Sequence, residues 1–345
     1  MRPMVSTSPR LARRVALFRT ALLAATALGV AGCAVDVEPP APPGGAADLD
    51  AASFIMADGA RLPYRTWVPS GAPTAVVLAL HGFNDSRDAW VLPGAALAEG
   101  GFVVYAYDQR GFGAAPLRGG WAGRDAMVQD AAALAALLRR RHPGIALILM
   151  GESMGGAVLM CLATSPLAPA GARYVLLAPA VWGGSQFNPF YRAALWLAAT
   201  VAPNLTASRP PPGIRIVPTD NMEAWDSLSR NPLSLRSTRF GSMQGLLDLM
   251  DSALAAAPAL RAPALFLYGG KDMLIPAAAT RATWNALPPG QARLAFYPTG
   301  YHLLPRDLER ATPIGDIIAW IRNPSAPLPS GADLAAEAWR VRPSG

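Results

Sequence analysis

The chain has 345 residues, 52% of them hydrophobic and 15% charged, with 32 Gly and 34 Pro. That is enough apolar material for one large core or two small ones, and it excludes intrinsic disorder and collagen-like or low-complexity chains. The formal charge of +7 is concentrated at the start, where residues 1–32 carry Arg2, Arg10, Arg13, Arg14 and Arg19 and no acid, leaving +2 on the rest. No clustered basic stripe follows, so nucleic acid is not an expected partner.

Cys33 and Cys161 are the only cysteines, and His81, His142 and His302 the only histidines. Neither a disulfide framework nor a zinc site is expected from that set, and histidine chemistry has few candidates. Residues 1–19 are Arg-rich, and residues 20–32 form a short apolar run that leads into Val30-Ala31-Gly32-Cys33. A positive region, a short apolar core and a small-residue exit read as a secretory signal, with a core too short to span a bilayer stably. The last four residues resemble a bacterial lipobox, which implies that Cys33 is lipidated and anchors the mature protein to a membrane. The expected organisation is therefore a lipoprotein signal over 1–32, a Pro/Gly-rich flexible tether over 33–50, one domain over 51–322, and a loosely packed Pro-rich tail over 323–345. The location this implies is the bacterial cell envelope, on the periplasmic or surface side.

Along the mature chain, residues 53–69 read as a hairpin with a turn at Asp58-Gly59. Continuous apolar runs follow at 75–80, 102–107, 146–150, 174–178, 264–268 and 294–297, as expected of strands buried on both faces. Helical patterns lie between them at 90–99, 125–141, 154–164, 244–256, 277–287 and 308–321. The alternation predicts an α/β fold with a mostly parallel, doubly wound sheet. It breaks once, over residues 181–243, which predicts a helical lid insertion. Within it, Asn188-Pro189 suits a helix start, and residues 190–201 are apolar on nearly every face with Arg192 as the only charge. Trp182, Phe190, Trp196 and Leu197 are accordingly expected to line an acyl channel or touch lipid.

Gly151-Glu152-Ser153-Met154-Gly155 matches G-x-S-x-G between a predicted strand and a predicted helix. That context thrusts a serine hydroxyl out at the sheet edge and makes Ser153 the candidate nucleophile. Such a serine needs a base, and the chain order of this arrangement is serine, acid, histidine. His302 is the only histidine downstream, just past the last predicted strand, and is the candidate base. Asp272, in Tyr268-Gly269-Gly270-Lys271-Asp272, follows a predicted strand and is the candidate orienting carboxylate, whereas Asp248 and Asp251 fall in a predicted helix. The oxyanion needs preorganised N–H donors, expected from Met154 at the helix start and from Phe83 in the His81-Gly82-Phe83 turn. Asp108-Gln109-Arg110-Gly111 reads as a structural turn and Cys161 as a core residue.

Together these residues resemble the serine α/β-hydrolases, and more narrowly the monoacylglycerol lipase and lysophospholipase group, with its S33-type hydrolase domain. The resemblance rests on His81-Gly82, Gly-x-Ser-Met-Gly-Gly at 151–156, Asp272 followed by Ile275-Pro276, Tyr301-His302, and the lid stretches Pro203-Asn204-Leu205 and Asn231-Pro232-Leu233. It covers residues from about 53 to 321 and implies a serine esterase that needs no metal or organic cofactor. The chain departs from many members at Glu152 and Phe112, where those members carry histidine. The implied substrates are lipid-like esters, monoacylglycerols or lysophospholipids, and no protein partner is evident. A proline iminopeptidase-like peptidase shares the scaffold and would need an acidic anchor such as Glu223 or Asp226. A general carboxylesterase is a further alternative. A non-catalytic lipoprotein is disfavoured by the complete set of candidates, and chemistries with an aspartate nucleophile are disfavoured by Ser153.

Overall fold

The computed structural model describes residues 46–208 and 216–341. Its strands, in chain order, are β1 (Asp48–Leu49), β2 (Ser53–Ile55), β3 (Arg61–Trp67), β4 (Ala75–Leu80), β5 (Phe102–Tyr107), β6 (Ala146–Glu152), β7 (Arg173–Leu177), β8 (Thr206–Ala207), β9 (Thr238–Arg239), β10 (Ala264–Gly269) and β11 (Ala292–Tyr297). The helices are α1 (Val91–Glu99), α2 (Arg124–Arg141), α3 (Met154–Ala163), α4 (Pro189–Val201), α5 (Met222–Arg230), α6 (Phe240–Ala256), α7 (Ala277–Ala286), α8 (Ala311–Arg322) and α9 (Ala332–Arg340).

Nine strands form one sheet in the order β1-β2-β3-β5-β4-β6-β7-β10-β11. The hairpin side pairs antiparallel, and everything from β5 to β11 pairs parallel. The apolar runs become strands because both faces are covered: β4, β5 and β10 are buried at every position. Val76, Leu78 and Leu80 pack on one face with residues of α2 and α3, while Val77 and Ala79 pack on the other with Leu97 of α1 and Ile317 and Trp320 of α8. From β4 the chain passes through α1 to β5 on one side, then through α2 to β6 on the other. Strand order thus reverses between β4 and β6, where a doubly wound sheet opens a crevice at its C-terminal edge.

Several expected boundaries move. The tether does not reach residue 50, because Asp48–Leu49 pairs with β2 and Ala47 is buried, its carbonyl held by Arg140. The lid's last helix begins at Phe240 rather than 244, so α6 straddles the insertion and the domain beneath. A short helix, α5, and the two-stranded ribbon β8-β9 add structure to the lid that periodicity did not reveal. Trp182 and Phe187 of the early lid, Leu195 of α4 and Leu235 pack against the core, while most of α4 stays exposed.

The largest correction concerns residues 323–345, expected as a loose tail. Within them α9 forms, and Leu328, Ala332 and Ala336 are buried. Trp339 stacks on Phe296 with ring centroids 4.7 Å apart and meets Trp284 at 5.1 Å and Tyr268 at 5.4 Å. The reason is geometric: β11 is the edge strand, and α9 covers its flank and shields unpaired backbone and apolar side chains. The Asp108–Arg110 turn is structural, as expected. Asp108 takes Arg87, while Arg110 bonds Asp130 at 2.7 and 3.0 Å and Asp58 at 2.6 Å. Trp339→Ala is expected to cost about 2–3 kcal/mol of stability, less than for a fully enclosed tryptophan, with ester turnover unchanged. Denaturant unfolding alongside an activity assay checks it.

Candidate active site

Three strand ends of the same sheet edge carry the candidate side chains. Ser153 follows β6, Asp272 follows β10, and His302 follows β11. The elbow at Ser153 is formed by backbone crowding. A Cβ on Gly151 would sit 2.5 Å from Gly155, and one on Gly155 would sit 2.4 Å from the Leu80 carbonyl oxygen. Only glycine lets β6, α3 and β4 approach so closely. The turn leaves Ser153 at φ 51° and ψ −113°, a region costly for a residue with a side chain. Its N–H donates to Leu177 O at 2.9 Å, and its carbonyl accepts from Ala157 N at 3.0 Å and Ala180 N at 2.9 Å. Those bonds to β7 and α3 hold the strained residue in place, half-exposed at the start of a helix buried on nearly all sides.

Asp272 and His302 meet as the sequence predicted. His302 Nδ1–H donates to Asp272 Oδ2 at 2.8 Å, and both side chains are almost fully buried. The other carboxylate oxygen accepts from Leu274 N at 2.7 Å and Ile275 N at 2.9 Å, which fixes its plane. The two loops are pressed together, since a Cβ on Gly269 would lie 2.4 Å from the Tyr301 carbonyl. Burial pushes the His302 pKa down, but the adjacent Asp272 carboxylate outweighs it, Glu152 adds to the rise and Arg306 opposes it; the net shift is upward.

The turn after β4 runs beside the elbow: a Cβ on Gly82 would lie 3.4 Å from Ser153 Cβ. Phe83 is packed against Phe112 at 5.4 Å and Trp121 at 6.4 Å, which steadies the peptide bearing its N–H. Met154 is the first residue of α3, at the positive end of the helix. His81 is not a competing base. It is fully buried, donates through Nδ1 to Gly82 O at 2.8 Å and accepts from Gln109 N at 3.1 Å. His142 lies away from these strand ends against the Tyr105 hydroxyl, at 3.0 Å.

The lid candidates separate. Trp182 is half-buried and stacks on Phe187, ring centroids 4.0 Å apart. Phe190, Trp196 and Leu197 are 82%, 61% and 56% exposed, so none of the three is enclosed in an acyl channel. Trp196 instead lines a groove of about 290 Å³ with Arg192, Leu247 and Asp251, between α4 and α6. Glu223 and Asp226, the amine anchors a peptidase would need, both face solvent on α5, with Asp226 beside Arg230. Cys33 lies outside the described residues.

The structure also brings in groups that sequence reasoning missed. Arg306 Nη2 donates to Glu152 Oε2 at 2.6 Å and Nη1 to Asp85 Oδ2 at 2.9 Å, all three buried. The available signal was Glu152 itself, an acid closing an apolar strand, which demands a buried cation. A second group ties the lid to the histidine loop: Thr219 Oγ1 donates to Asp307 Oδ1 at 2.7 Å, and Asn221 Nδ2 to Arg306 O at 2.9 Å.

The family described as serine aminopeptidase, S33, matches residues 71–309, well over half of the chain. The chain belongs to that family. Among its curated relatives, a monoacylglycerol lipase of Mycolicibacterium smegmatis is 27% identical over 288 residues, spanning 78% of this chain and 95% of the relative. The human monoglyceride lipase is 26% identical over 269 residues, spanning 76% and 86%. Among solved structures, the monoacylglycerol lipase of Paleococcus ferrophilus superposes with a TM-score of 0.64 at 22% identity, covering 75% of this chain and 98% of that one. A soluble variant of the Saccharomyces cerevisiae monoglyceride lipase, solved with a substrate analogue, gives 0.65 at 18% identity, covering 83% and 96%. The fold is the α/β-hydrolase fold.

A base must be neutral to accept a proton. With the His302 pKa raised, kcat/KM is expected to fall on the acid side with a midpoint above the usual histidine value. Asp272→Asn is expected to lower kcat by about 10³–10⁴-fold and to move that midpoint down. A pH–rate profile on a soluble ester reads both.

Proposed function

We propose that this protein is an envelope-anchored hydrolase of lipid-like carboxylic esters, monoacylglycerols or lysophospholipids, working through an acyl-enzyme on Ser153. The observation that carries the reading is the Asp272–His302 hydrogen bond on the same sheet edge as a serine held at positive φ. Relatives named as monoacylglycerol and monoglyceride lipases support the substrate class. In this reading Ser153 Oγ attacks the ester carbonyl while His302 Nε2 takes its proton. Asp272 holds the imidazole by its Nδ1–H and stabilises the imidazolium. The N–H groups of Phe83 and Met154 receive the oxyanion. Collapse expels the glycerol or glycerophospho alcohol, which receives the proton from His302. Water, deprotonated by the same histidine, then cleaves the acyl-enzyme and frees the fatty acid.

The exposed apolar side chains of α4 suit contact with a lipid surface better than the wall of a closed tunnel. Phe190, Trp196 and Leu197 are exposed to solvent, and each methylene removed from water there gains about 0.8 kcal/mol. Trp182, half-buried and stacked on Phe187 against the core, is assigned to the acyl chain. Lipidated Cys33 would keep the catalytic domain at the membrane where such substrates reside, and Cys33→Ser is expected to release the protein from membranes with its activity intact.

Ser153→Ala is expected to lower kcat on monoacylglycerol by about 10⁴-fold or more without loss of fold, and to abolish labelling by a fluorophosphonate. Labelling of a different serine would overturn the assignment. Trp196→Asp or Leu197→Asp is expected to raise KM for long-chain monoacyl esters while leaving turnover of a short soluble ester near wild type. Equal losses on both would assign α4 a purely structural role.

A further inference from the structure

The charged groups behind the elbow have no part in the reaction as drawn, yet they are among the most deeply buried in the molecule. Arg306 sends one arm of its guanidinium to Asp85 at 2.9 Å and the other to Glu152 at 2.6 Å, and none of the three side chains is more than 7% exposed. Arg306 Nε and Glu152 Oε1 have no hydrogen-bond partner among the described residues. Stability alone explains such a group poorly, because buried ion pairs replaced by apolar residues of similar volume often leave a protein as stable or more so.

What the three residues connect is more telling. Asp85 lies in the turn after β4, two residues past Phe83; Glu152 immediately precedes Ser153; Arg306 lies four residues past His302, in a tight turn over Leu304–Arg306. The Arg306 carbonyl also receives Asn221 of the lid. Each loop delivers one working part, and Arg306 is the side chain that reaches both of the other two loops. A planar guanidinium with two donors at a fixed angle sets the separation and orientation of its carboxylates, which a flexible lysine does not.

We propose that Arg306, Glu152 and Asp85 form a positioning clamp that holds the nucleophile elbow, the histidine loop and the oxyanion turn in catalytic register. The proposal rests on the Ser153–His302 reading above. The groups facing His302 are Asp272 from the loop after β10, Glu152 from the elbow and Arg306 from its own loop. Those facing Glu152 are Arg306, Asp85 and His302. Of the clamp's groups, Glu152 raises the His302 pKa and Arg306 lowers it. Loss of the Glu152 charge therefore disfavours the imidazolium, and the acid limb of kcat/KM moves to lower pH.

The test compares purified full-length variants on a short soluble ester, with Ser153→Ala as the control for the underlying reading. Glu152→Gln, nearly isosteric, is expected to lower kcat by about 10-fold or more with KM within about threefold, and to shift the acid limb down by about half a pH unit. Arg306→Met is expected to lose about 100-fold in kcat, with Arg306→Lys recovering only part of it, since lysine restores charge without the fork. The neutral triple variant Asp85→Asn/Glu152→Leu/Arg306→Met separates position from stability. It is expected to melt at or above the wild-type temperature, yet to show the kcat loss and the shifted limb. Wild-type kcat and an unmoved limb in the folded triple variant, or in Glu152→Gln, would overturn the clamp. Should Arg306→Met not fold, those two variants decide the matter. Undiminished turnover in Ser153→Ala would instead overturn the reading on which the clamp rests, and that outcome is visible before any clamp variant is measured.

Discussion

Backbone contact at the elbow is the constraint on which the candidate site depends. β6, the start of α3 and the end of β4 meet with no room for a side chain at Gly151 or Gly155. The chain turns within one residue, so Ser153 carries the positive φ and points off the sheet edge. The same closeness fixes its neighbours, because Gly82 lies against Ser153 Cβ while Leu177 and Ala180 bond the Ser153 backbone. A looser turn would let the serine relax into an ordinary conformation and drift from the turn after β4. The Asp272 and His302 loops repeat the device, with Gly269 packed against the Tyr301 carbonyl.

A chain with only 15% charged residues buries few ions, and those it buries sit where loops must be held. Asp108 receives Arg87, Arg110 spans Asp58 and Asp130, and Arg306 spans Asp85 and Glu152. Each group joins segments that local hydrogen bonding leaves independent. In a dry interior an unmatched charge is costly, so these contacts tolerate little displacement. Oriented pairs thereby transmit the rigidity of the sheet into the loops above it.

The lid obeys different physics. The sheet is sandwiched and shows its apolar residues to nothing but protein, whereas α4 buries only Ala199 and leaves Phe190, Tyr191, Trp196 and Leu197 to solvent. The lid is attached by a few apolar contacts, with Trp182, Phe187, Leu195 and Leu235 packed on the core, and by long-range hydrogen bonds: Asn84 bonds Thr238, and Thr219 and Asn221 bond the histidine loop. Hydrogen bonds hold the lid's roots, while the apolar side chains of α4 remain exposed to solvent.

Short-range physics made much of this legible in the sequence. Continuous apolar runs specify doubly buried strands, a glycine-flanked serine between strand and helix specifies an elbow, and Asn188-Pro189 specifies a helix start that the Asn188 side chain caps at 2.9 Å. Chain order with a single downstream histidine singled out His302, and a position just past a predicted strand singled out Asp272. The order of the strands, the covering of edge strand β11 by α9 and the outward face of α4 were decided by the tertiary structure, since each depends on what a surface meets rather than on what it contains. The pairing of Glu152 with Arg306 spans 154 residues and that of Asp85 with Arg306 spans 221. Periodicity reports only on neighbours a few residues apart, so an acid at a strand end announces that a cation is needed, and the fold alone selects which one arrives.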